Sequence, residues 1–236
     1  MTDFSERNHL RTRAEILERL SAVLPHKNLF DLANQYDIPT HINGKKNKGW
    51  VGQTVELAAG LSLNNSQLPD GVDCELKTTT LIRKGEGWFP KETIKITQLN
   101  PERILHETFE DSVVWRKMSK LVFVGVHHKS DTECFAVKLG SIDLLTADLI
   151  QPIKKFWEDV QHNILSGDML SFYNLGSSGE FIQLRPVGDG KLWSSCPITG
   201  EKFPARAFYA TKILIEKMMK SNDLEKWLYQ FPQPKD

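Results

Sequence analysis

The sequence predicts an α/β protein. Three features point there: apolar residues at helical spacing in stretches spread along the chain, a strictly alternating stretch at Val72–Thr80, and a continuous apolar run at Leu121–Val126. Ile16, Leu17, Leu20, Val23 and Leu24 set the first helix over about Thr12–Leu24, and Pro25 ends it. Leu29–Tyr36 reads as a second short helix. Pro39–Lys48 is polar and basic, and is expected as a loop. Trp50–Leu61 follows as a helix that packs through Val51, Val55, Leu57 and Ala58. Turn residues occupy Asn64–Gly71. In Val72–Thr80 the apolar Val72, Cys74 and Leu76 alternate with Asp73, Glu75 and Lys77, the signature of a strand. Lys84–Pro90 is expected as a turn, Thr93–Leu99 as a strand, Val113–Met118 as a short helix or turn and Leu121–Val126 as a central strand. Beyond it, Leu149, Ile153, Phe156, Trp157 and Val160 mark a helix over Thr146–Leu165. Phe181–Arg185 reads as a strand, Gly188–Pro204 as a long polar excursion, and Ala205–Tyr209 leads into a helix at about Thr211–Lys220. The proline-broken end, Phe231–Asp236, is expected to fray.

Composition narrows the class. The chain has 236 residues, 40% hydrophobic and 25% charged, ordinary for a globular protein with a sizeable core. Its 30 basic and 30 acidic residues balance. That excludes a non-specific polyanion coat but leaves room for a local basic cleft. Three scattered cysteines, Cys74, Cys134 and Cys196, form no CxxC pair and suggest neither a zinc site nor a disulfide framework. The charged start, MTDFSERNHLRTRAE, has no apolar core of a secretory signal, and no run approaches a membrane span. These features predict a cytoplasmic protein.

The stretch that carries chemistry is LPDGVDCELKTTT, Leu68–Thr80. On a strand, Glu75 and Lys77 point the same way, about 7 Å apart. Asp70 follows Pro69, where a turn aims it at the same place. Two carboxylates and an ammonium there suit a hard cation such as Mg²⁺, which takes oxygen ligands and keeps waters and phosphate in its shell. Charged residues alternating with apolar ones also describe any solvated strand face, and PD followed by ExK arises often by chance.

The upstream segment KGWVGQTVELAAG, Lys48–Gly60, adds specificity. KGWVGxxxE followed by ELKT resembles the MutH mismatch-repair endonuclease and the related type II restriction endonucleases of the PD-(D/E)XK superfamily. VWRKMSKLVFVGV (Val114–Val126), GEFIQLRP (Gly179–Pro186) and AFYATK (Ala207–Lys212) resemble later family segments in the family's order. The resemblance implies a mixed sheet flanked by helices, in two lobes around a DNA cleft: residues 1–130 catalytic and 131–236 for recognition. It implies a Mg²⁺-dependent endonuclease that leaves a 5′-phosphate and a 3′-hydroxyl. Asp70, Glu75 and Glu56 would serve the metal, Lys77 would position water, and Lys117 would contact the scissile phosphate or the metal carboxylates. Arg185, Pro186, Tyr209 and Lys48 would contact double-stranded DNA.

There are departures. The acid lies closer to ExK than in MutH, and Asp73 offers a rival carboxylate on the expected strand face of Glu75. Val187 stands where MutH has a lysine, and Lys84–Asn100 looks closer to the restriction branch. These rank a restriction endonuclease with a functionally paired methyltransferase first. A MutH-type enzyme that nicks hemimethylated GATC with mismatch-repair partners is the alternative. A catalytically silent DNA-binding module is a third reading, and its mark would be a lost metal residue.

Other residues have plainer readings. Lys45, Lys46 and Lys48 would hold phosphates or simply be solvated. Arg185 would close a strand at the surface or, as the resemblance implies, read a guanine edge. Tyr209 would touch DNA or half-bury at a helix start. His127 and His128 follow a strand without an adjoining carboxylate motif and are expected as surface residues. Trp50 is expected to pack.

Overall fold

A computed structural model describes residues 11–63, 69–144, 146–187 and 191–220. The expected ends of the chain, the Asn64–Leu68 part of the first turn and residues 188–190 of the polar excursion lie outside them. The described chain forms two compact units that interleave in sequence. One takes the chain up to Lys91 together with Lys120–Ile142; the other takes Glu92–Ser119 and Asp143–Lys220.

The first unit opens with α1 (Arg13–Val23). Thr12 caps it: its hydroxyl accepts from the Glu15 N–H, and the Glu15 carboxylate accepts from the Thr12 N–H. Asn28 caps α2 (Leu29–Gln35) by accepting from the Phe30 N–H. The expected loop at Pro39–Lys48 is instead a hairpin, β1 (His41–Ile42) and β2 (Lys45–Lys46). Its turn is Asn43-Gly44, with φ of 50° and 73°. Asn-Gly tolerates positive φ at both central positions, which is what a two-residue hairpin turn demands.

Helix α3 (Trp50–Ala58) follows. Strand β3 (Glu75–Lys84) starts three residues later and runs four residues further than alternation suggested. The expected turn after it tightens at Gly85 (φ 58°) and returns as β4 (Gly87–Pro90), antiparallel to Leu81–Lys84. Strand β6 (Lys120–His128) runs parallel to β3, with Glu75 beside Leu121 and Thr80 beside Val126. Strand β7 (Cys134–Asp143), which periodicity did not single out, completes a mixed four-stranded sheet of order β4-β3-β6-β7. Strand β6 lies inside this sheet and is buried from Leu121 to Val126, so a continuous apolar run is what its position requires.

Helices α1, α2 and α3 cover one face of that sheet. Ile16, Leu20, Leu29, Leu32, Trp50, Val55 and Ala58 pack with Leu76, Val122, Val124 and Val126. Trp50 is 3% exposed and meets the rings of Phe30 and His128 edge-on. His127 places Nδ1 3.0 Å from the Leu81 carbonyl and meets Trp88 edge-on. Both histidines therefore serve packing.

In the second unit, β5 (Ile94–Gln98), β8 (Ile182–Pro186) and β11 (Arg206–Ala210) form an antiparallel sheet of order β5-β11-β8. Helices α4 (Pro101–Ile104), α5 (Val113–Met118), α6 (Ala147–Ser166), α7 (Met169–Leu175) and α8 (Lys212–Lys220) complete it. The polar excursion holds a second hairpin, β9 (Trp193–Ser195) with β10 (Lys202–Pro204). Arg206 is 9% exposed and lies 5.4 Å and 5.3 Å from the ring centres of Phe172 and Tyr173. Its Nη1 donates to the Leu184 carbonyl, tying α7 to the sheet. No helix among the described residues is long and apolar enough to cross a membrane.

Candidate active site

The turn before β3 is closed by the backbone. The Gly71 N–H donates to the Cys74 carbonyl (2.8 Å), and the Val72 N–H donates to the Arg11 carbonyl (2.9 Å). A Cβ on Gly71 would lie 2.8 Å from that Arg11 oxygen, so only glycine lets the chain pass this closely. The turn delivers Asp70 to the start of the strand. Its Oδ2 accepts from the Leu76 N–H (3.0 Å), and its own N–H donates to Glu75 Oε2 (3.2 Å). The Lys77 ammonium closes on Glu75 Oε1. Asp70, Glu75 and Lys77 thus meet at one point.

Two features give that point its character. Glu75 is fully buried, and the Lys77 side chain keeps 22% of its exposure. A carboxylate removed from water needs a countercharge and hydrogen bonds, and here it has both. Strand β4 pairs with β3 only over Leu81–Lys84. Over Glu75–Thr80 the strand has β6 on one side, and Asp70 sits at the other edge, on the Leu76 N–H. The Leu76 carbonyl leaves the strand on the same side as its N–H, adding a neutral oxygen beside the two acids.

Asp73 does not share this place. The strand begins only at Glu75, so the expected alternation does not extend back to Asp73. Its carboxylate accepts from the Arg13 N–H at 2.8 Å, at the start of α1. Free N–H groups and the helix dipole favour an anion there. Burial pushes the Cys74 thiol up to about 12, with Asp73, Asp70 and Glu75 adding to the effect.

Glu56 lies half-buried on α3. One turn before it, a Cβ on Gly52 would come 3.7 Å from Thr78 Oγ1, so this helix faces the Leu76–Thr78 side of β3. Glu75 and Lys77 are on the other side. Among the described residues no group of three His, Cys, Asp or Glu side chains is arranged to hold a metal, so Glu56 is not assembled with Asp70 and Glu75. Lys48 is exposed just before α3. Lys117, expected in the N-terminal lobe, is 8% exposed on α5 of the second unit.

The second unit brings the expected reading residues onto one face of its sheet. Arg185 lies opposite Ala207, and Tyr209 opposite Gln183. Directly paired residues share a face. Tyr209 is half-buried against Val187, Ala205 and Ala207, and Pro186 is exposed at the strand end. Two partners of Arg185 escaped the sequence reading. Gln183 Oε1 accepts from Arg185 Nε (3.1 Å) and Nη2 (2.6 Å), and Thr93 Oγ1 accepts from Nη1 (3.3 Å). Strand alternation signals Gln183, two residues before Arg185; Thr93 is far away in sequence and gives no such signal.

A family model described as DNA mismatch repair enzyme MutH matches residues 60–156. That span runs from the end of the Glu56 helix through Asp70, Glu75, Lys77 and Lys117. The chain is 29% identical over 164 residues to the DNA mismatch repair protein MutH of Shewanella woodyi, covering 68% of this chain and 69% of that protein. It is 26% identical over 180 residues to the protein of the same name from Pasteurella multocida, covering 75% and 79%. Family model, relatives and a mixed sheet flanked by helices agree: across the span that holds Asp70, Glu75 and Lys77 the chain is similar to the MutH DNA mismatch repair proteins.

Proposed function

We propose that this chain is a MutH-type mismatch-repair endonuclease that nicks hemimethylated GATC in double-stranded DNA, with Mg²⁺ at Asp70 and Glu75. The observation that carries the reading is the meeting of Asp70, Glu75 and Lys77 at an open strand edge. Relatives named for DNA mismatch repair favour it over the restriction role that Val187 and Lys84–Asn100 had ranked first.

The donor set fits a hard dication: two carboxylates and the Leu76 carbonyl, with remaining positions left to water and a phosphate oxygen. When bound, the cation would supply charge stabilisation for a phosphodiester under attack and acidify a water. Lys77 would hold the attacking water in line with the phosphorus, its ammonium kept in place by Glu75. Asp70, fixed by the Leu76 N–H, would set the distance between acid and phosphate. Glu56 would orient this edge from α3, and Lys117 would neutralise phosphate charge. Lys48, Arg185, Pro186 and Tyr209 would bind the duplex.

Purified protein with Mg²⁺ and a plasmid carrying hemimethylated GATC is expected to yield nicked circles, and EDTA to abolish them. Lys77→Ala is expected to bind DNA and not cut it. Nicking that depends on a mismatch-repair activator supports the repair role. Autonomous double-strand cleavage supports the restriction role, with a cognate methyltransferase as functional partner. Normal cutting by Lys77→Ala would overturn the assignment.

A further inference from the structure

Arg185 is held by the side chains of Gln183 and Thr93. A guanidinium has five N–H donors. Gln183 Oε1 takes one from Nε and one from Nη2, and Thr93 Oγ1 takes one from Nη1. The two donors left belong to Nη1 and Nη2: with Gln183 closing the Nε–Nη2 edge the free Nη2 donor points end-on, and with Thr93 on the Cδ side of Nη1 the free Nη1 donor would stand parallel to it. Two parallel donors at that end match the O6 and N7 acceptors of guanine in the major groove.

Gln183 is itself fixed. Its Nε2 donates to the carbonyls of Ser177 (2.8 Å) and Gly179 (3.3 Å). Those bonds settle the amide orientation, because its nitrogen must face two acceptors and its oxygen therefore faces the guanidinium. The Ser178 hydroxyl, donating to the Leu175 carbonyl, and the Ser178 N–H, bonding the same oxygen, brace this turn.

We propose that Gln183 and Thr93 are positioning residues for base reading: they freeze Arg185 so that only its end-on pair of donors faces the duplex. The inference rests on the DNA-cutting role proposed above and assigns part of its selectivity to residues that touch no base. A long arginine loses rotamer freedom when it binds, and a side chain ordered beforehand loses less. Held at Nε, it also cannot turn its side edge to another base, so the Gln183 bond rejects wrong partners as well as favouring the right one.

The test uses full-length protein and paired substrates: GATC duplexes with guanine, or with 7-deazaguanine, which lacks the N7 acceptor. Wild type is expected to cut the deaza duplex roughly 10-fold more slowly, within the range of one bidentate contact. In Gln183→Met that ratio is expected to shrink to about 2-fold, with cutting of the guanine duplex reduced and the melting temperature unchanged. Thr93→Val is expected to shrink it less, and Thr93→Ser to restore it. Arg185→Ala is expected to abolish it. An unchanged 10-fold ratio in Gln183→Met overturns the positioning role. So does a wild type that cuts both duplexes equally, which leaves the nuclease reading intact. A wild type that cuts no DNA removes the nuclease reading and this one with it.

Discussion

Replacing Lys77 by methionine takes the ammonium away from a carboxylate that has lost all contact with solvent. Glu75 would keep the Asp70 N–H as a donor and lose the ammonium that closes on its Oε1. Breaking a buried ion pair by removing one partner costs about 3–5 kcal/mol. Lys77 retains 22% side-chain exposure, so water already screens part of the interaction and an expected loss of about 2 kcal/mol is more realistic. For a chain of this length that corresponds to a fall in Tm of roughly 4–8 °C. Glu75→Gln leaves the lysine with an exposed route to water, so its cost is expected to be smaller. The double variant, with neither charge, is expected to be more stable than the sum of the two losses predicts. Thermal unfolding of the four proteins in EDTA measures the coupling. A coupling near zero would mean that the pair contributes no stability and that Lys77 is free to move. The reasoning that it stands ready beside Glu75 would then fail.

Other outcomes follow from the same geometry. Asp70→Asn is expected to abolish nicking, whereas Asp73→Asn is expected to keep it and lose roughly 0.5–1 kcal/mol from the α1 start; equal loss of activity in both would show that the geometry misassigns the acid. Cys74 and Cys134 have thiols pushed up to about 12, chiefly by burial. The folded protein therefore binds these protons more tightly than the unfolded chain. Stability is expected to be intact below about pH 9 and to fall towards pH 12, and a Cys134→Ala variant to flatten that fall in urea melts. Gly125→Ala puts a Cβ 2.5 Å from Leu81 Cδ1 and 3.3 Å from Lys138 Cβ, and is expected to cost about 1–3 kcal/mol by overpacking, read by the same melts.

The helices were legible because their signals are local. Thr12 with Glu15 and Asn28 with Phe30 make caps within a few residues, and α1 and α3 show their buried stripe directly. Strand β7 gives no periodic signal because Ala136–Leu139 is buried on both faces and shows no alternation. The basic composition of Pro39–Lys48 reads as loop, whereas Asn43-Gly44 is the local feature that makes it the β1–β2 hairpin. The start of β3 differs from the alternating pattern because Asp73 and Cys74 alternate like a strand while their backbone is still turning.

By itself the sequence determined the chemistry available: an acid after Pro69, ExK on a strand, an arginine ending another, in an order that resembles one superfamily. Spacing carries this because Glu75 and Lys77 are two residues apart, and a strand fixes their direction whatever surrounds it. Only the tertiary structure decided which aspartate joins them. Asp70 and Asp73 are three residues apart on the same turn, and the choice between them belongs to α1, whose first N–H captures Asp73 from 60 residues away. It likewise decided that Thr93 would hold Arg185 from 92 residues away. Contacts between residues so distant depend on how sheets and helices pack, and no local pattern encodes that.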